Sequence, residues 1–146
     1  MATPTAHKDA QGQNNIDRNV RQYTDLDLFF GKKSTSKDIS KVTDIQAVKR
    51  SVRNLILTNH YEKPFHPEIG SGVRGILFEP MTPITAHILT LQIENVIENF
   101  EPRAKLISVT AQPNLDRNEY ECTIEFYVAN APTELVDLTV FLERLR

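Results

Sequence analysis

Residues 119–128 read Glu119-Tyr120-Glu121-Cys122-Thr123-Ile124-Glu125-Phe126-Tyr127-Val128. Tyr120, Cys122, Ile124, Phe126 and Val128 fall on one face; Glu119, Glu121, Thr123, Glu125 and Tyr127 fall on the other. Side chains that alternate with a period of two mark a β-strand with one buried face and one wet face. A sheet that is wet on one side is antiparallel. The buried face needs an apolar cover, and residues 83–100 supply it. Leu89, Ile93, Val96 and Phe100 recur at helical spacing there, widened by Ile84, Ile88 and Ile97. So broad a stripe predicts burial against both a sheet and a second helix. Thr82 can cap this helix, Pro83 suits its first position, and Pro102 ends it.

The neighbouring segments fill in the same plan. A strand is expected at 105–112, followed by the turn-forming stretch 113–118. A further helix is expected at 43–58, with Thr43 and Gln46 spaced as a capping box. Its apolar stripe is Ile45, Val48, Val52, Leu55 and Ile56. Lys49, Arg50 and Arg53 lie off that stripe, as a solvated face or a partner contact. Pro64, Pro67, Gly70, Gly72 and Gly75 prevent a long helix across 59–75. A helical turn at 73–78 is expected to bury Ile76, Leu77 and Phe78. Residues 133–146 fit two periods: Val136, Leu138, Val140 and Leu142 alternate, whereas Leu135, Leu138, Leu142 and Leu145 suit a helix. The β-branched Val136, Thr139 and Val140 favour the strand. The fold class expected is α+β, two or three helices packed on a small antiparallel sheet with an open edge. Such an edge can take an added strand from another chain.

Composition narrows the rest. The chain has 146 residues, 40% hydrophobic and 25% charged, which suits one domain or a domain with an arm. Residues 1–22 are polar apart from Ile16 and Val20, so a flexible arm is expected before a domain over 23–146. Residues 32–41 form a second polar stretch, read as a solvated linker or a segment that orders on a partner. Residues 1–42 carry a net charge of +2 and residues 43–146 a net charge of −4. An overall charge of −2 argues against a general nucleic-acid-binding field. No apolar run approaches the ~18 residues of a membrane helix. No N-terminal hydrophobic core of a secretion signal is present. The single cysteine, Cys122, excludes an internal disulfide framework and a multi-cysteine zinc site. Together these imply folding in the cytosol, with neither nucleic acid nor membrane as partner.

Catalytic patterns are sparse. There is no phosphate-binding loop, no nucleophile elbow and no zinc-protease helix motif. His7, His60, His66 and His87 lack a second ligand pair at metal spacing, so no metal or cofactor is expected. Cys122 points inward on its strand and reads as an inert thiol. Glu68, Glu79, Glu101 and Asp116 are the candidates for a paired-carboxylate site, but no aromatic sugar groove accompanies them and tryptophan is absent. No catalytic residue is assigned. Phe100-Glu101-Pro102-Arg103 stands apart. A proline between a carboxylate and a guanidinium makes a rigid corner, either a helix stop with an ion pair or a fork for bidentate contacts.

With these motifs in order, the sequence resembles the baseplate wedge family of contractile-tailed bacteriophages that initiates the tail sheath. That family was once labelled a tail lysozyme and has a cousin in the type VI secretion baseplate. The resemblance rests on Tyr23-Thr24-Asp25-Leu26-Asp27, on Lys63-Pro64-Phe65-His66-Pro67-Glu68-Ile69-Gly70, on Leu77-Phe78-Glu79 with Thr82-Pro83, and on Glu101-Pro102-Arg103. The loop departs from the family pattern by Lys63 for Arg and Ile69 for an aromatic. The resemblance implies a structural protein rather than an enzyme, in the virion tail baseplate, assembled in the host cytoplasm at six copies per baseplate. It implies a fold like the sheath subunit's handshake domain. Glu101, Pro102 and Arg103 would dock to the core-bundle proteins of the wedge. Pro64, Phe65, Pro67, Glu68 and Gly70 would form a structural loop. The tail sheath protein would add a strand at an acceptor edge near Val136, Leu138 and Val140. A type VI secretion component, or a peptidoglycan-cleaving lysozyme, is the alternative.

Overall fold

The computed structural model describes residues 23–32 and 37–144; the arm expected over 1–22 lies outside them. The elements run β1 (Thr24–Leu26), β2 (Lys41–Thr43), α1 (Asp44–Leu57), α2 (Val73–Ile76), α3 (Pro83–Phe100), β3 (Ala104–Asn114), β4 (Glu119–Val128) and β5 (Ala131–Glu143). Three helices and two small antiparallel sheets make the expected α+β fold. The larger sheet has the order β3-β4-β5, and β1 pairs with β2 in a ribbon of its own.

β4 is the central strand, and its alternation holds in full. Tyr120, Cys122, Ile124, Phe126 and Val128 are all completely buried. Val136, Val140 and Leu142 of β5 and Val109 of β3 extend that face. α3 packs mainly along β3, while α1 lies towards β4 and β5. Between helices and sheet sit Val48, Val52, Ile56, Leu89, Ile93 and Ile97, each removed from water. Burying side chains of this size contributes about 1.5–3 kcal/mol each, which holds the layers together. α3 spans the residues expected, with the Thr82 hydroxyl accepting from the Thr85 N–H at 3.1 Å and Pro83 in the first turn. β5 is a strand, and it begins earlier than expected, with Pro132 inside it at the sheet edge, where a missing N–H is tolerated.

Four expectations need correction. Thr43 does not cap α1 through its side chain. It is held in the β2 ladder opposite Thr24, and the chain turns into the helix through Asp44 at φ 49°, a conformation aspartate tolerates. Asn130 donates to the Asp44 carboxylate at 3.1 Å and ties this junction to the β4–β5 turn. Ile84 and Ile88 are exposed, because the apolar stripe of α3 is wider than the surface available to cover it. Phe78 is also exposed, since α2 ends at Ile76 and the following turn rotates its ring outward. The described residues of the polar stretch 32–41 are not simply linker: Lys32 bridges Ile39, and Lys41 opens β2.

Candidate functional site

The corner at 101–103 is built by the end of α3. The Glu101 N–H donates to the Ile97 carbonyl at 2.9 Å and closes the helix. The chain then turns through Pro102, and the Arg103 carbonyl accepts from the Ala129 N–H at 2.9 Å. Glu101 is only 3% exposed. Its carboxylate accepts two hydrogen bonds from Arg103, Nε at 2.6 Å and Nη2 at 2.9 Å, and a third from the Ser51 hydroxyl of α1. This is a bidentate fork of the kind that guanidinium geometry favours. The other terminal nitrogen, Nη1, donates to the Asp25 carboxylate of β1 at 3.2 Å, and the guanidinium lies 5.5 Å from the Tyr23 ring centroid.

The protonation states follow from these contacts. Burial alone would push the Glu101 carboxyl up, but the Arg103 and then the Ser51 hydrogen bonds outweigh it and leave it below the usual range. Hydrogen bonding to Glu101, against the opposing effect of burial, raises the Arg103 guanidinium further above its ordinary value. Both groups are therefore charged throughout the neutral range.

A second cluster repeats the pattern just past the end of β1. Asp27 pairs with Arg50 of α1, accepts from the Ser40 hydroxyl at 2.9 Å and from the Phe29 N–H at 3.1 Å. Arg50 lies 5.2 Å from the Phe29 ring centroid. The Ser40 hydroxyl and the Phe29 N–H, then Arg50, hold the Asp27 carboxyl low. Three-residue strands form a weak ribbon alone. Here Asp25 of β1 and Asp27 just past its end each clamp an arginine from elsewhere and pin the ribbon to α1 and the corner.

The residues expected at an acceptor edge lie on β5. Val136 and Val140 are buried, and Leu138 is half-buried. β5 pairs with β4 on one side, and among the described residues no strand pairs with its other side. Beside it opens a cleft of about 490 Å³ lined by Leu28, Phe29, Lys49, Arg53, Leu57 and Leu138, among others.

The loop residues lie elsewhere, on a closed excursion after α1. Ser71 N–H donates to the Thr58 carbonyl at 2.7 Å, and Tyr61 N–H donates to the Pro67 carbonyl at 3.0 Å. Gly70 adopts φ +149°, and an added Cβ would sit 2.6 Å from the Asn59 backbone. Pro64, Pro67 and Glu68 are exposed, as is Phe65, which holds its ring 98% exposed at φ 67°. The structure thus unites Glu101 with Arg103, and keeps the loop and the β5 residues as separate surfaces. The sequence reading gave no role to Ser51, Ser40, Tyr23, Asp25 or Asp27 in these clusters. The period-two spacing of Tyr23, Asp25 and Asp27 was the available signal. Among the described residues no cluster of His, Cys, Asp and Glu could hold a metal ion, and no helix is long and apolar enough to cross a membrane.

The family pattern for "Baseplate wedge protein gp25" matches residues 42–133, which include the corner, α1 and all of β4. The chain belongs to this family. It is 32% identical over 120 residues to baseplate wedge protein gp25 of Enterobacteria phage T4, covering 82% of this chain and 90% of that one. Two solved structures share the fold. A protein described as a putative tail lysozyme from Geobacter sulfurreducens superposes with a TM-score of 0.63 at 23% identity, over 68% of this chain and 89% of that one. A chain of the anti-feeding prophage baseplate gives 0.60 at 20% identity, over 86% and 88%.

Proposed function

We propose that this chain is a structural component of the baseplate wedge of a contractile tail, within the virion, and that residues 23–146 act as one unit joining wedge to sheath. The observation that carries the reading is the open edge at β5, a strand of 13 residues with a cleft beside it, whereas β3, the other edge of the sheet, lies under α3. An unpaired edge offers main-chain donors and acceptors to a strand from a second protein. In this reading the tail sheath protein supplies that strand. Six copies in a ring then impose symmetry and register on the first sheath disc, and simultaneous engagement supplies avidity. The six-fold symmetrised baseplate of the anti-feeding prophage, which contains a chain of this fold, supports that count.

The wedge contact is assigned to the corner, with roles divided by exposure. Glu101 is consumed by internal partners and acts as a positioning residue. Pro102 is exposed and the Arg103 side chain is 25% exposed, so these two present the docking surface to the core-bundle proteins. Assembly in the host cytoplasm belongs to the same proposal, as for a component of a phage tail like its relative from Enterobacteria phage T4.

The test is a seeding assay. Wedge proteins with this chain are mixed with cognate sheath subunit and tail tube, and sheath growth is followed by electron microscopy. Growth only in the presence of this chain is expected. Equal growth without it refutes the sheath-initiating role.

A further inference from the structure

Strand addition at β5, the reading proposed above, leaves open what kind of strand fits. The two faces of the edge differ in charge. On the helix side, the cleft beside β5 has an apolar floor of Leu28, Phe29, Leu57 and Leu138, bordered by three cations, Lys49, Arg50 and Arg53. Arg50 is committed to Asp27. Lys49 and Arg53 have no ion-pair partner among the described residues, and no carboxylate lines the cleft. On the opposite, wet side, Asp137 and Glu143 of β5 are exposed, and Glu121 and Glu125 of β4 stand beside them in register with Phe141 and Asp137.

We infer that the β5 edge selects a donor strand by the face on which its charges lie. The occupant is a β-strand of another protein with apolar residues and a carboxylate at the alternate positions facing α1. Its outward positions are neutral or basic. Lys49 and Arg53 pair with the inward carboxylate at the mouth of the cleft, while Leu28, Leu57 and Leu138 take the apolar side chains. Asp137 and Glu143 repel a carboxylate on the outer face. Because a one-residue slip moves every donor side chain to the opposite face, the charge difference fixes the register as well as the partner. Main-chain hydrogen bonds alone specify neither.

Two labelled peptides of about nine residues test this. Both have identical composition and net charge, with Val and Leu at alternate positions. One carries Glu among the apolar positions and Lys at the outward ones; the other has one Glu and one Lys exchanged between the faces. Binding to the full chain is read by fluorescence anisotropy, and the site by hydrogen exchange of the β5 amides. The first peptide is expected to bind about tenfold more tightly, with protection of β5. The preference is expected to reverse in the doubly substituted Lys49→Glu, Arg53→Glu chain, whose folding is checked by circular dichroism. Equal affinity of the two peptides with β5 protected overturns the charge selection and leaves strand acceptance standing. A preference without β5 protection overturns the strand geometry. Failure of both peptides to bind at about 1 mM overturns this inference together with strand acceptance.

Discussion

Replacing Glu101 by glutamine tests whether the corner is an internal lock. The carboxylate accepts from Arg103 at 2.6 and 2.9 Å and from Ser51. An amide of the same shape keeps one oxygen and turns an NH2 towards a group that only donates, so at least one bond of the fork becomes donor against donor. Hydrogen bonds to a charged group contribute about 1.5–3 kcal/mol each. Removing one member of a fully buried pair costs about 3–5 kcal/mol. Arg103 is less enclosed than its partner, with a quarter of its side chain in water, and it keeps Asp25, so solvent and that aspartate recover part of the loss. The expected destabilisation of Glu101→Gln is therefore about 2–3 kcal/mol. For a domain of this size that lowers the melting temperature by about 8–12 °C. Urea unfolding followed by circular dichroism at neutral pH reads it directly, as a shifted midpoint at unchanged slope. The Arg103→Gln variant completes a double-mutant cycle, with an expected coupling of about 1–3 kcal/mol. A loss under about 0.5 kcal/mol, or zero coupling, refutes the lock.

Acid should act through the same carboxylate. Glu101 titrates below its ordinary value of 4.5 when folded, so its contribution is complete above that value and is lost as pH falls through the lower folded one. Urea midpoints measured from pH 6 down to about pH 3 should fall more steeply for the native sequence than for Glu101→Gln. Gly70→Ala should cost about 2 kcal/mol or more, because the new Cβ would meet the Asn59 backbone at 2.6 Å in a conformation that strains side chains; an unchanged midpoint would refute the strain. Cys122 is fully buried and its thiol is pushed up to about 12. A disulfide reagent should therefore modify it at the rate of chain opening, and rapid labelling of the folded protein would contradict its placement.

The parts readable from sequence were those whose cause is local. β4 repeats with a period of two over its whole length, and α3 carries both its stripe and its start signal. The ribbon β1–β2 was missed because its cause is distant. It is held by Asp25 with Arg103, 78 residues apart, and by Asp27 with Arg50, 23 residues apart, and neither strand has enough apolar surface to form a pattern. For the same reason the corner could be recognised from Glu101-Pro102-Arg103 while its internal use could not: Ser51 is 50 residues away on another helix. Ile84 and Ile88 show the opposite failure. Their spacing was right, but spacing does not reveal how much surface lies opposite.

A strand paired on one side only creates a hazard of its own, since the readiest match for an open edge is the same edge of another copy. Antiparallel meeting of two β5 strands would bring Asp137 and Glu143 of each into a shared row of acids on the wet face, backed by the glutamates of β4. Such like-charge rows oppose pairing. Pro132 further withholds a donor near one end. The acids that sort partners in the proposed selection would thus also keep the β5 edges of two copies apart at high concentration. That protection is electrostatic, so it weakens as ionic strength rises. Concentrated brine is the condition under which this protein would clump edge to edge, and dilute buffer the one in which it keeps.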